Sequence, residues 1–237
     1  MASGSIATSA RESARAVAPW WHTLLVLLVL AAGSLASLLQ DGLPNAHLPG
    51  LNTRLSSYLT VIGEEWLLAW LIWLALRRRL LAVNDLALGT WQTFGAFARD
   101  LGIAVAFSVL AVLFTNLLMF FIGAEVAVIG EIVPHSGIEL AVWFAMAASA
   151  SFCEELTFRG YLLHQFSAWT GSRIAGVVVQ GVMFGLAHGF YHRGMAVIMV
   201  HGCLLGALAQ WRRSLRPGML AHMLQDGLGG ILGLLSR

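Results

Sequence analysis

Lysine is absent from this chain of 237 residues; all 14 of its basic residues are arginine. Charge of either sign is scarce, at 11%, while 58% of the residues are hydrophobic. A soluble domain carries about 25% charged and roughly 45–50% apolar residues. A chain this apolar cannot hide its surface in a water-soluble fold of this size, and the bilayer is its fitting solvent. The net charge of +2 points neither to nucleic acid nor to an acidic partner. The two cysteines, Cys153 and Cys203, both lie in apolar segments, so they read as small buried residues and no disulfide framework is indicated. There is no internal repeat, no low-complexity tract and no HExxH metalloprotease signature.

Long apolar runs fill the space the charges leave. Residues 1–19 are polar, small and weakly basic and read as a disordered cytoplasmic tail. Trp20–Leu39 is long enough to cross a ~30 Å hydrocarbon core, and long for a cleaved signal ending near Ala36. After a loop rich in Gly, Pro, Asn and Asp comes a second span, Ser57–Leu76, which stops at Arg77-Arg78-Arg79. Residues 80–99 place Leu80, Val83, Leu86, Trp91, Phe94 and Phe97 at mostly helical spacing and predict an amphipathic interfacial helix. Spans three to seven follow at Leu101–Ile122, Gly137–Phe166, Arg173–Phe190, Gly194–Trp211 and Pro217–Leu235.

The expected fold is therefore all-α: a polytopic bundle of about seven transmembrane helices plus one interfacial helix. Residues 20–136 form the N-terminal helices and 137–237 a compact core of four helices. With the N-terminus inside, the inner segments hold Arg11, Arg15, Arg77, Arg78, Arg79, Arg99, Arg173, Arg212, Arg213 and Arg216. The outer segments hold only Arg54, Arg193 and Arg237. That asymmetry follows the positive-inside rule.

Ionisable groups inside spans are costly and functional by default. Span four carries Glu154-Glu155-Leu156-Thr157-Phe158-Arg159. Glu155 and Arg159 are four apart, an ion-pair spacing, while Glu154 is turned about 100° away, free to face a cavity. Span five carries Phe184 and His188 on one face; span seven carries His222 and Asp226 on one face. The bundle can gather Glu154, His188, His222 and Asp226 around one wet pocket. A carboxylate and an imidazole there could deprotonate a water, and a second imidazole with its neighbour could stabilise a carbonyl oxyanion. At ~1.5 Å per residue His188 stands about 22 Å along from Arg173, but His222 only about 9 Å from Arg216, so span five is expected to begin below span seven.

EELTFR at 154–159, FGLAH at 184–188 and HMLQD at 222–226 resemble, in order and spacing, the EExxxR, FxxxH and HxxxN/D motifs of the CAAX prenyl-protease and bacteriocin-processing (Abi) family of intramembrane glutamate proteases. The likeness covers roughly residues 137–236. It implies Glu154 as base with His188, and His222 with position 226 near the oxyanion. Glu155, Arg159 and Phe184 would support them. It implies no cofactor and no metal. The partner would be a membrane-associated protein or peptide substrate in the lipid bilayer of a bacterial inner membrane, with no nucleic acid. Position 226 is Asp where prenyl-protease members usually have Asn; an ionised Asp226 cannot donate to an oxyanion, so it is either protonated or orients His222.

Other readings compete. The same Glu, His and Asp residues are a plausible zinc or manganese set; a non-enzymatic immunity or scaffold factor would need none of this chemistry; a transporter should show paired broken helices. Single residues have plainer readings too. Glu64-Glu65 in span two lacks an Arg four or five residues on and a His motif, and reads as facing a polar cavity or the outer interface. His201 reads as structural, and His164 and His192 as interfacial. Cys153 faces away from Glu154. Trp20, Trp21, Trp169 and Trp211 mark interfaces. Gly185, Gly202, Gly206 and Gly229 suit close helix packing.

Overall fold

A computed structural model describes residues 16–40, 52–123, 132–188 and 193–236. Seven helical rods run through them: α1 (Trp20–Gln40), α2 (Thr53–Arg78), α3 (Phe94–Ile122), α4 (Gly137–Thr170), α5 (Arg173–Ala187), α6 (Arg193–Arg212) and α7 (Arg216–Leu235). No strand occurs among the described residues. Among the described residues, α2, α3, α4 and α6 are each long and apolar enough to cross a membrane; α5 and the Trp20–Ala36 part of α1 are shorter apolar helices. The protein is an integral membrane protein, all-helical as its composition demands.

Local chemistry sets the helix starts. Asn52 accepts from the Leu55 N–H, Thr93 from Ala96, Ser136 from Glu139 and Ser172 from Ala175, each satisfying an orphan donor of a first turn. Two sets of contacts mark the two ends of the bundle. At one, buried Asp100 at the start of α3 meets Arg99, Arg212 and Arg216 at 3.6, 3.8 and 3.3 Å. Arg78 lies over Trp21 at the same end. At the other, Glu139 accepts from Asn52 and pairs with Arg54 at 3.9 Å, and Arg193 donates to the Ile122 carbonyl. Consecutive rods therefore alternate in direction.

The expected interfacial helix over 80–99 does not form. A four-residue 3₁₀ turn, Val83–Leu86, stands there, and the chain then runs irregularly into α3, which begins seven residues before the expected span. Leu80, Ala87 and Gly89 all adopt left-handed backbone, which interrupts any continuous helix. The segment is instead pinned to the start of α7: the Leu215 N–H donates to Ala87, and Arg216 donates to Thr90 and lies over Trp91.

Most of the expected tail, residues 1–15, lies outside the described residues. Its last residues are docked rather than free: Ala18 exchanges two hydrogen bonds with the Gln165 side chain of α4, and Val17 and Ala18 are buried. Close by, the His22 Nε2–H donates to the Leu71 carbonyl at 3.0 Å, which leaves Nδ1 to accept from the Tyr161 hydroxyl at 2.8 Å. Thr23 bonds the same hydroxyl. These polar contacts tie α1, α2 and α4 together where burial alone could not fix their register.

α4 is the centre of the bundle. Between its α-helical ends, Glu155–Leu162 winds as a π-helix, and every one of those eight residues is buried. α5 and α6 pack against each other through small residues: a side chain at Gly185 would meet Met199, and one at Gly206 would meet Gln180. That is the packing expected of membrane helices. Gly229, by contrast, faces open space.

Candidate active site

The changeover from α- to π-helix in α4 presents two carboxylates to different surroundings. Glu155 is fully buried; its Oε1 lies 3.0 Å from Arg159 Nη1, and both side chains are wholly enclosed. Arg159 also donates to the Gly202 carbonyl of α6 and lies 4.2 Å from the centre of the Phe184 ring. An arginine at this depth needs such a cage, because an unpaired buried charge is strongly destabilising. Glu154, the preceding residue, keeps 20% of its side chain exposed. The two adjacent carboxylates thus differ in surroundings: Glu155 is enclosed in an ion pair and Glu154 is partly exposed.

His222 of α7 lies among three carboxylates. Its Nε2 is 3.8 Å from Glu154 and 3.5 Å from Asp226, and its Nδ1 is 3.4 Å from Glu155. Asp226 keeps 34% of its side chain exposed, while its backbone carbonyl accepts from the Trp143 indole at 2.8 Å. α7 approaches α4 this closely because residue 218 is glycine; a Cβ there would strike Glu155 Oε2. Glu155 therefore does more than neutralise Arg159: it also faces the inner nitrogen of His222, an arrangement that fixes how an imidazole is turned.

His188 closes α5 as its C-cap. Its Nδ1 lies 2.7 Å from the Phe184 carbonyl. A carbonyl only accepts, so Nδ1 carries the hydrogen and Nε2 is the free acceptor of the neutral ring. The Phe184 ring stands 4.5 Å from the His188 ring and 6.3 Å from the His222 ring. The two imidazoles therefore both neighbour Phe184, although they lie at such different distances from the starts of their own helices. Glu154 and Asp226 each pair with His222; His188 joins them by way of Phe184, and it makes no ion pair with Glu154 among the described residues.

Two residues left aside by the motif reading lie here as well. His201 of α6 is in electrostatic reach of His222, Arg159, Glu155 and His188. Glu65 of α2 is buried and in electrostatic reach of Glu154, His222 and Asp226. Neither carries a local signature, since their partners lie on other helices. His164 bonds back to the Gly160 carbonyl within α4, and His192 lies outside the described residues. Among the described residues no three His, Cys, Asp or Glu side chains converge as a metal site requires.

Residues 136–228 match the family model described as Type II CAAX prenyl endopeptidase Rce1-like. No curated protein and no solved structure matches the chain. EELTFR, FGLAH and HMLQD all fall inside the matched segment, so the part of the chain that carries the three motifs is the part similar to that family.

Proposed function

We propose that the protein is an intramembrane glutamate-type endopeptidase that hydrolyses a peptide bond of a membrane-associated protein or peptide, using residues 137–237 as its catalytic core. The family match over residues 136–228 supports a CAAX-type membrane protease; the assignment of roles is the present reading. Glu154 takes a proton from a water, and His188, with Nε2 free to accept, holds that water on its other side. The hydroxide attacks the substrate carbonyl. His222 Nε2–H donates to the oxyanion that develops, while Glu155 on its far nitrogen and Asp226 beside it keep the ring turned to that task. The proton held by Glu154 then passes to the departing amine, so no covalent intermediate is needed.

The observation that carries this reading is the Glu154–His222–Asp226 contact between α4 and α7, partly open on one side and backed by the enclosed Glu155–Arg159 pair on the other. Substrates are assigned to a bacterial inner membrane, with the N-terminus cytoplasmic as the arginine distribution indicates.

The test is proteomics of C-terminal fragments in the host, comparing wild type with E154Q, H188A and H222A. Each variant is expected to lower fragment release by about 10²–10⁴-fold, the usual weight of a general base or an oxyanion donor. E154Q cells that release wild-type amounts of every fragment would overturn the reading. A host phenotype that survives E154A unchanged would instead favour a non-enzymatic role.

A further inference from the structure

Asp100 is enclosed near the start of α3, at the end of the bundle where α6 finishes and α7 begins. Its carboxylate is shared four ways. The Trp91 indole donates to Oδ2 at 3.0 Å. Arg99, Arg212 and Arg216 stand at 3.6, 3.8 and 3.3 Å, longer than an ordinary charge-assisted hydrogen bond. Among the described residues no other carboxylate forms an ion pair with these three guanidinium groups. Asp85, in the adjoining segment, accepts from Ala82 within its own 3₁₀ turn. Three cations around one anion leave two positive charges unmatched. Donors are in surplus as well. Each guanidinium carries a fork of N–H groups, and the Thr90 and Ser214 oxygens receive only those of Arg216. Arg212 Nε is enclosed and has no hydrogen-bond partner among the described residues. The cluster therefore has room, in charge and in donors, for a second anion.

The surroundings say what kind of anion fits. The three arginines lie at the ends of apolar rods, the level at which headgroups stand. Trp91, Phe94 and Trp211 are exposed at the same level, as aromatic residues are where a membrane meets water. Arg99 keeps 58% of its side chain exposed, while Arg212 and Arg216 are partly covered. An anion seated here meets fixed positive charge on the protein side and apolar surface beside it. Those are the needs of a phosphate group that carries acyl chains.

We propose that Arg99, Arg212 and Arg216 form a binding site for the phosphodiester group of an anionic phospholipid. Asp100 gathers the three guanidinium groups from within the bundle, and the lipid phosphate takes the donors that Asp100 leaves over. Because the cluster draws on α3, α6 and α7, a lipid bound there holds α7, the rod that carries His222 and Asp226, against α3. The inference does not depend on which residue acts as the base.

The test is native mass spectrometry of the full chain, released from detergent micelles that contain phosphatidylglycerol and phosphatidylcholine in equal amounts. Wild type is expected to retain phosphatidylglycerol in preference to phosphatidylcholine. R99Q/R212Q leaves Arg216 to pair with Asp100 and should weaken that preference by about fivefold for each arginine lost, the weight of one basic side chain at an anionic surface. If the double variant fails to assemble, R99Q alone, altered at the most exposed of the three, should still show its single step. R77Q/R79Q removes two arginines from the same end but outside the cluster, and should keep the wild-type preference. Equal losses in the two double variants would reduce the cluster to a general positive field and overturn the site. Equal retention of the two lipids by wild type would overturn it too. Thermal unfolding separates the two sources of phosphate. Phosphatidylglycerol should raise the midpoint of wild type, and inorganic phosphate added to phosphatidylcholine–detergent micelles should not. Stabilisation by inorganic phosphate alone would overturn the lipid as the occupant.

Discussion

α3 and α4 are neighbours in sequence and opposites in use. α3 is a 29-residue rod that buries only Asp100, Ala104 and Ala111. Its Leu110, Leu113, Phe120 and Phe121 stand out towards the surroundings. α4 carries two glutamates and an arginine in mid-course and encloses the whole of Glu155–Leu162. The more apolar helix is the outer one, and the more polar helix is the inner one. In a bilayer that inversion is required: lipid accepts leucine and phenylalanine, whereas ionised groups must find protein partners.

The contrast is most directly broken by removing one half of the enclosed pair. R159M should cost about 3–5 kcal/mol, because Glu155 is left buried and uncompensated. Unfolding in mixed detergent micelles would read it, and the E155M/R159M double variant should recover most of the loss. The reverse experiment puts a charge where α3 has none. L110R should cost about 2.5–3.5 kcal/mol of insertion free energy, the translocon price of arginine at a helix centre; a glycosylation-based insertion assay would measure it. An unimpaired L110R would mean that α3 faces protein or water rather than lipid.

Smaller effects sharpen the same comparison. G218A should cost about 1–3 kcal/mol, the usual range for overpacking, since its methyl must displace Glu155 Oε2. Because it presses on the residue that faces His222 Nδ1, its activity should fall more than its stability. L110A on the exposed face of α3 should change stability by no more than about 0.5 kcal/mol. A large loss there would reveal a partner seated on α3.

What could be read from the amino-acid order followed the range of the interactions. The spans and the motif pairs Glu155/Arg159, Phe184/His188 and His222/Asp226 are local, and helical spacing alone places each pair on one face. The convergence of α4, α5 and α7 was legible only through the three motifs together. Three things were not legible. The π-helical winding of Glu155–Leu162 depends on what surrounds α4 on all sides. The 3₁₀ turn at Val83–Leu86 replaces a helix because Leu80 and Ala87, neither of which announces it, take left-handed backbone to let the segment reach Leu215 and Arg216. Glu65 comes within electrostatic reach of Glu154 on α4 and His222 on α7, far along the chain, and no spacing rule connects them.

The widened turn of α4 has a consequence for the rod that carries it. Every residue held in an i→i+5 pattern adds backbone to the circuit, so the two halves of α4 are out of phase with a uniform α-helix. The half before Glu155 directs Trp143, Ser149 and Phe152 towards α2 and α7, and the half after it directs Gln165 towards Ala18 at the mouth of α1. The offset works as a phase adjuster: it lets one continuous rod serve two differently oriented sets of neighbours, with the reactive carboxylate stationed at the changeover.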